Sequence, residues 1–247
     1  MSKKLITAAL ALVALAAFAL PASAAASPEV THPTGTTMAV HPVETTCTAK
    51  PEGCLLGTNI GNTFLKTGST VLSECTTARL TGELTKNNGT TFEGNITTAT
   101  FSGTGGQDPA EAANMPECPG EILGYNTVTT NGGGIDEATV PNGTPWCMKS
   151  MTLGAFIVRG GLCTQTQRNI DFIVKSTTIG SCVYTRAAAL TGTYSADSSG
   201  DAIFTLTSEG TEFTKKEGGF FCPASASLEM KFTMETDTGS KVPVYIS

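Results

Sequence analysis

The sequence predicts an all-β fold, an antiparallel β-sandwich or jelly roll that is stapled by disulfides. The residues from Leu228 to Glu235 alternate between apolar and polar side chains, as a strand does when one face is buried and the other meets water. Beyond the N-terminal apolar run, no segment has apolar residues at the i, i+3, i+4 and i+7 spacing of an amphipathic helix. Short strands between glycine-rich turns favour a sandwich or jelly roll over a propeller, whose repeats would be more frequent and more alike.

The first 24 residues have the three parts of a secretory signal peptide. Lys3 and Lys4 supply a cationic start, an apolar run covers residues 5–20, and small residues around Ala24 provide a cleavage site. The alternative is an uncleaved membrane anchor, but a span needs about 20 apolar residues and this run is shorter. We therefore predict a secreted, extracellular protein with no membrane association after cleavage.

The exported part is acidic. Loss of Lys3 and Lys4 with the signal leaves 13 basic against 21 acidic residues, a formal net charge of −8. Because no basic cluster is present, nucleic acid is an unsuitable partner, and an anionic membrane would repel the chain. We predict no cofactor and no metal, since His32 and His41 lie in a proline-rich stretch and no Cys-x-x-Cys pair occurs. A cell-surface polysaccharide or a protein is the expected kind of partner.

The mature chain divides into an N-terminal arm and one β domain. Residues 25–45 are rich in Pro and Thr, which predicts a flexible arm or an edge strand, because proline lacks a backbone donor. Residues 46–247 are enough to bury a single core, with 46–150 and 151–247 as two possible halves. Leu-Thr-Gly occurs at 80–82 and again at 190–192 between similarly spaced cysteines. This favours a duplication, with chance recurrence as the alternative.

A hairpin is the clearest local prediction. Residues 78–85 alternate between apolar and polar side chains, the Asn88-Gly89 turn follows, and the chain returns along residues 92–101. The apolar side chains change parity between Ile96 and Ala99, which predicts a β-bulge in the returning strand.

Further along the chain, two apolar runs, 151–158 and 170–174, lack alternation and predict central strands buried on both faces. Asp197-Ser-Ser-Gly200 predicts a hairpin loop between two later strands. The remaining predicted strands span residues 125–130, 183–194, 202–207 and 228–235.

All eight cysteines lie in the exported part, and an even number in an oxidising compartment predicts four disulfides. The favoured pairs are Cys47–Cys54, Cys75–Cys118, Cys147–Cys163 and Cys182–Cys222. A short turn would bring Cys47 and Cys54 together. A duplication would make Cys75–Cys118 and Cys182–Cys222 equivalent bonds, which leaves Cys147 and Cys163 as the third pair. That third pair requires a chain reversal near Gly154 or after Gly160, since a continuous strand would hold its cysteines too far apart. The alternative places Cys147 beside Cys182.

Four motifs resemble families of small secreted bacterial β-rich proteins to which no activity is assigned. These motifs are Leu-Thr-Gly-Glu-Leu-Thr-Lys-Asn-Asn-Gly (80–89), Pro-Trp-Cys (145–147), Arg-Gly-Gly-Leu-Cys (159–163) and Glu-Gly-Gly-Phe-Phe-Cys-Pro (217–223). The resemblance implies an extracellular, β-sandwich-like protein, and it supplies no catalytic residues.

The predicted function is that of a non-catalytic structural or binding module outside the cell. A serine triad and a His-Glu-x-x-His zinc site both need histidines that this chain lacks outside its arm. One alternative is a carbohydrate or cell-wall binder that uses loops near Trp146, although this tryptophan could equally be a core residue beside the Cys147 disulfide. The second alternative is a carboxylate glycosidase. Its candidate acids are Asp136, Glu137, Asp171, Asp197 and Asp201.

Overall fold

The structure is a computed structural model, and it describes residues 28–32, 35–40, 47, 53–103, 118, 125–131, 145–176, 180–236, 242–243 and 245–246. The predicted signal peptide, residues 1–24, lies outside these ranges. The first strands are β1 (Val30–Thr31), β2 (Cys54–Asn59), β3 (Thr63–Thr67), β4 (Thr70–Cys75), β5 (Thr77–Asn87), β6 (Phe92–Ser102), β7 (Tyr125–Asn131) and β8 (Trp146–Thr152). The later strands are β9 (Ala155–Gly160), β10 (Ile170–Ser176), β11 (Gly180–Arg186), β12 (Leu190–Ala196), β13 (Ala202–Leu206), β14 (Glu212–Glu217), β15 (Ser225–Thr236), β16 (Val242–Pro243) and β17 (Tyr245–Ile246), with a 3-10 turn at Ser208–Gly210.

Eight of these strands form a closed antiparallel barrel, so the predicted sandwich or jelly roll is wrong, whereas the all-β class is confirmed. The strands follow one another around the ring as β2, β5, β6, β8, β9, β12, β13 and β15, and the pairing of β15 with β2 completes it. Each strand therefore lies beside the next barrel strand of the sequence, in an up-and-down arrangement. Alternation could not reveal this, because a strand in a sandwich and one in a barrel both bury one face.

The long strand β15 belongs to two sheets. Its residues from Met230 onwards pair with β13 and β2 in the barrel, while its earlier residues pair with β14 and β3. The second sheet has the order β4, β3, β15, β14, β11, β10 and β7. Except for β15, every strand of this sheet lies in a connection between two consecutive barrel strands. In an up-and-down barrel, the connections that carry these strands are all at the same end of the barrel. The strand with the clearest alternation in the sequence thus joins the two sheets.

The order of elements occurs twice along the chain. From β2 to β8 the chain forms a barrel strand, an inserted hairpin, two barrel strands, an inserted single strand and a further barrel strand. The same order recurs from β9 to β15. The two Leu-Thr-Gly motifs occupy β5 and β12, which hold the same place in this order. The inserted strands pair differently, however, since β7 pairs with β10 whereas β14 pairs with β11 and β15. A duplication would explain the barrel order, and it stays a prediction.

The barrel interior is filled largely by aromatic side chains. These are Phe92, Phe156, Tyr194, Phe204 and Phe232, all of them buried. Phe204 lies at the centre of the group, because its ring stacks on Phe232 at 5.2 Å and meets Phe156 edge-on at 5.3 Å. Eight strands enclose a space just wide enough for side chains to fill.

A second aromatic group lies between the barrel and the second sheet. Phe172 of β10 is its centre, with ring-to-ring distances of 5.0 Å to Phe213, 5.9 Å to Phe101 and 6.0 Å to Trp146. Since Phe101 and Trp146 are on barrel strands, this group connects the second sheet to the barrel. The two groups belong to one continuous hydrophobic core.

Several local predictions can be compared with the strands. The hairpin of β5 and β6 is confirmed, and so is its bulge, since Gly82 pairs with Ile96 while Thr81 pairs with Thr98. The prediction of one doubly buried strand over 151–158 is wrong, because β8 and β9 form a hairpin there, and Met151, near the end of β8, is 57% exposed. The predicted strand over 183–194 is two strands, β11 and β12.

Four disulfides staple the fold and confirm the prediction of a fully oxidised chain. The bonds join Cys47 to Cys54, Cys75 to Cys118, Cys147 to Cys163 and Cys182 to Cys222, and no cysteine is free. The third bond forms because the chain reverses between β8 and β9, where Gly154 has φ +84°. Such disulfides indicate an extracellular or otherwise oxidising environment. Among the described residues, we find no helix with the length and apolar character that crossing a membrane requires.

The described parts of the N-terminal arm pack against the barrel. Sequence composition allows a flexible arm or an edge strand, and the structure contains the short strand β1, which pairs with β17. Val30 and Met38 are 3% and 1% exposed, respectively. These two side chains therefore belong to the core and not to a solvated tail. His32 is within this described part, whereas His41 is outside it.

Candidate interaction site

The loop between β14 and β15, residues 218–224, presents two phenylalanines to solvent, and we call it the Phe-Phe loop. Phe220 is 95% exposed and Phe221 is 55% exposed. Their rings lie edge to face, with 5.7 Å between centroids. The other large apolar side chains that are exposed in the described residues are Val40, Ile60, Met151 and Leu153. Two adjacent exposed aromatic rings gain little from folding, which makes them candidates for contact with a partner.

The Phe-Phe loop is held in place from both sides. Cys222 is bonded to Cys182 on β11, and its backbone N–H donates to the carbonyl of Gly219 at 3.1 Å. Lys215 Nζ donates to the carbonyl of Cys222 at 3.2 Å. Gly218 has φ +125°, and a Cβ at this position would lie 2.4 Å from Cys222 Sγ, so only glycine fits. A loop that is ordered before binding loses less conformational entropy when a partner arrives.

An ion pair supports the strand that leads into the loop. Asp171 of β10 is buried, and its carboxylate accepts hydrogen bonds from Lys216 Nζ at 3.0 Å and from Thr185 Oγ1 at 2.5 Å. The hydrogen bond and the negative charge of Asp171 raise the pKa of Lys216 above its ordinary value, and Glu217 adds to the effect. Lys216 therefore stays charged and ties β14 to β10 across the intervening β11.

We expect this ion pair to make stability fall at alkaline pH. Because the folded-state pKa of Lys216 is raised, its contribution is complete below the unfolded-state pKa and is lost as pH rises through the folded-state pKa. Urea unfolding at about pH 8 and about pH 11.5 should show a larger loss for the wild type than for Lys216→Met. Equal losses in the two proteins would contradict a role of Lys216 in stability.

Trp146, the ligand-binding residue suggested by the sequence, lies in the core. Its side chain is 3% exposed and packs against Phe172, and its indole nitrogen has no hydrogen-bond partner among the described residues. This placement agrees with the core alternative. A ligand could stack on the indole only if the core opened, so binding at Trp146 stays a prediction without structural support.

Of the candidate carboxylates of a glycosidase, Asp171 and Asp197 have structural partners, whereas Asp201 Oδ1 is buried and has no hydrogen-bond partner among the described residues. Asp171 is engaged by Lys216, and Asp197 accepts backbone hydrogen bonds from Ser199 at 2.7 Å and Asp201 at 2.9 Å in the turn between β12 and β13. Asp136 and Glu137 lie outside the described residues. Within the described ranges, no group of three or more His, Cys, Asp or Glu side chains could hold a metal ion.

Sequence reasoning did not single out Phe220 and Phe221 as site residues, although their motif is one of the four that carry the resemblance. One signal was available. The pair stands between Gly218-Gly219 and Cys222-Pro223, a combination of turn residues that predicts a surface loop. Two phenylalanines inside a predicted loop have no strand face to bury them, so their exposure could have been expected.

Comparisons with known proteins give no independent indication of function. No protein-family model matches the chain, and no curated protein or solved structure is significantly similar to it. The resemblance drawn from the four motifs therefore stays a prediction, and a function has to be argued from the site itself.

Proposed function

We propose that this is a secreted, non-catalytic binding module whose Phe-Phe loop inserts into an apolar pocket on another extracellular protein. The main support for this proposal is that the exposed rings of Phe220 and Phe221 lie on a loop that the Cys182–Cys222 disulfide holds in place. Rigid, exposed aromatic anchors provide most of the binding energy at many protein interfaces. The disulfides and the signal sequence support a location outside the cell.

A protein partner suits these rings better than a polysaccharide does. Phenylalanine has neither the hydroxyl of tyrosine nor the indole N–H of tryptophan, so Phe220 and Phe221 supply apolar area without a polar group for sugar hydroxyls. Lys215 lies beside the loop and would favour a pocket with acidic groups at its rim. Polysaccharide binding is the second candidate function, and the experiment below distinguishes it from binding to a protein.

The absence of a catalytic role is supported by the chemistry of the described side chains. All eight cysteines are tied in disulfides, so none is available as a thiol nucleophile. The carboxylates of Asp171 and Asp197 are occupied by hydrogen bonds that shape the fold. An assay for polysaccharide hydrolysis by the purified protein should therefore give no product.

Replacement of both phenylalanines should strongly weaken partner binding. We expect Phe220→Ser/Phe221→Ser to weaken binding to the extracellular proteins of the producing culture at least about tenfold, since two aromatic anchors are lost. The measurement is retention of labelled protein on immobilised culture supernatant. Met151→Ser/Leu153→Ser is the matched control, because it removes two exposed apolar side chains elsewhere, and it should bind like the wild type.

The same assay distinguishes the partner classes. Protease treatment of the supernatant should remove the binding, whereas periodate oxidation of its sugars should leave it unchanged. The reverse result would establish the polysaccharide alternative. Retention that is equal in the Phe220→Ser/Phe221→Ser variant and the wild type would show that the Phe-Phe loop is not the contact site.

A further inference from the structure

A polar groove of about 370 Å³ lies on the outer wall of the barrel, where β12 and β13 run side by side. It is lined by the side chains of Thr191, Thr193, Thr205, Thr207 and Glu209 and by the backbone of two glycines. We call it the threonine groove. Its volume is in the range of small-molecule sites, but its lining is more polar than theirs usually is. The groove therefore suits a small hydrophilic ligand.

The four threonines present their hydroxyls as an array. Thr193 of β12 and Thr205 of β13 are directly opposite each other, and Thr191 and Thr207 lie two residues farther along the same face. Neighbouring strands are about 5 Å apart and alternate residues of one strand about 7 Å apart, so the array measures about 5 by 7 Å. Thr205 is half-buried and the other three threonines are exposed. A small ligand can therefore reach several hydroxyls at once, and each hydroxyl can both donate and accept a hydrogen bond.

The 3-10 turn that follows β13 borders the groove at one end. Gly210 of this turn lies against β12, where an added Cβ would overlap the side chain of Thr191. Thr211 fixes the turn, since its hydroxyl donates to the carbonyl of Thr207 at 2.8 Å and accepts from Leu228 N at 3.1 Å. The groove is therefore formed before a ligand arrives, which reduces the entropy lost on binding.

Glu209, on the 3-10 turn, gives the groove a negative charge. Among the described residues that line the groove, it is the only charged one, and its side chain is exposed. Lys231 of β15 pairs with Thr205 but does not line the groove. The chain is also acidic overall, so its long-range field favours a cation. A ligand that matches the groove combines hydroxyl groups with a positive charge.

We propose that the threonine groove binds a protonated amino sugar, as a unit of a short oligosaccharide. The ammonium group pairs with Glu209, and the ring hydroxyls exchange hydrogen bonds with the threonine hydroxyls. A lysine side chain offers the charge without the hydroxyls, and a neutral sugar offers the hydroxyls without the charge. The groove shares no residue with the Phe-Phe loop, so this inference does not rest on the function proposed above.

The test is a proton–nitrogen NMR titration of the secreted protein with the trisaccharide of glucosamine. The amide signals of Gly192 and Gly210, which line the groove, should shift with a dissociation constant of about 1 mM, since few hydrogen bonds form at an open groove. The trisaccharide of N-acetylglucosamine, which is uncharged, and trilysine, which has no hydroxyls, should each bind at least about threefold more weakly. If either bound as tightly as the glucosamine trisaccharide, the proposal would be wrong.

Glu209→Gln isolates the contribution of the charge. It should weaken binding of the glucosamine trisaccharide at least about threefold, because the charged partner of the ammonium group is lost. Glu212→Gln is the matched control, since Glu212 is also exposed but does not line the groove, and it should bind like the wild type. Unchanged binding in Glu209→Gln would overturn the proposal.

Thr193→Val/Thr205→Val isolates the contribution of the hydroxyls, because valine keeps the shape of threonine. We expect binding of the glucosamine trisaccharide to weaken at least about fourfold. Thr58→Val/Thr233→Val is the matched control, since these threonines also face each other on neighbouring barrel strands and do not line the groove. Equal affinities of the two double variants would show that the hydroxyl array is not the binding site.

The two proposed sites fail independently. Phe220→Ser/Phe221→Ser should bind the glucosamine trisaccharide like the wild type, and Glu209→Gln should be retained on immobilised culture supernatant like the wild type. A site with a dissociation constant of about 1 mM does not hold the protein through the washes of that assay. Loss of trisaccharide binding in Phe220→Ser/Phe221→Ser would place the sugar on the Phe-Phe loop and would overturn the assignment to the groove.

Discussion

Phe204→Ala is expected to lower the free energy of unfolding by about 3–5 kcal/mol, one of the two largest effects that we predict. Phe204 is 1% exposed, and its ring contacts four other aromatic rings inside the barrel. Truncation removes the buried apolar area and leaves a void, which aromatic neighbours on four different barrel strands cannot easily close. Urea or guanidinium unfolding of the oxidised protein measures the change.

Phe220→Ala is the matched control for this prediction, since the same chemical change is made at a side chain that is 95% exposed. It should alter the free energy of unfolding by no more than about 0.5 kcal/mol. A large loss in Phe220→Ala would mean that Phe220 is buried in the folded protein. A small loss in Phe204→Ala would contradict the packing described for the barrel interior.

Gly82→Ala should destabilise the protein by about 1–3 kcal/mol, in the range of overpacked core substitutions, and we place it at the upper end. A Cβ on Gly82 would lie 2.5 Å from the carbonyl oxygen of Asn95 in the neighbouring strand β6. Since that atom is backbone, it can move only if the pairing of β5 with β6 is distorted next to the bulge. Thermal or denaturant unfolding of the purified variant gives the comparison.

Gly57→Ala separates this steric effect from the general effect of replacing glycine. Its Cβ would lie 3.2 Å from Leu80 Cβ, so a shift of a few tenths of an ångström between β2 and β5 relieves the contact, which is less than the 2.5 Å contact of Gly82 requires. Glycine in a strand loses more backbone entropy on folding than alanine does, so Gly57→Ala should be neutral or stabilising by up to about 1 kcal/mol. If Gly57→Ala and Gly82→Ala were equally destabilising, close approach to Asn95 would not be the cause.

Features set by neighbouring residues could be predicted from the sequence. The β5–β6 hairpin, its bulge, the turn at Asp197 and the strand that contains Leu228 are examples, because turn residues and alternation act over a few positions. The cysteine pairs also agree with prediction, and the third pair is explained by the reversal at Gly154. The exposure of the Phe-Phe loop could have been predicted by the same reasoning, because its turn residues are neighbours in the sequence.

Other features depend on residues that are far apart in the chain. Residues 151–158 are apolar, and only the packing of the β8–β9 hairpin decides that Val158 is buried while Met151 is exposed. The packing of the N-terminal arm against the barrel involves hydrogen bonds between Asn87 and residues more than forty positions earlier. No local pattern specifies such pairings.

By itself, the sequence determined the all-β class, the strand with the clearest alternation, the oxidised cysteines and the acidic charge of the chain. The tertiary structure alone decided that the strands close into a barrel, that β15 serves two sheets, and that Phe204 is enclosed while Phe220 is exposed. The physical reason is that alternation specifies which face of a strand is buried, whereas the pairing of β13 and β2 with β15 depends on contacts distant in sequence.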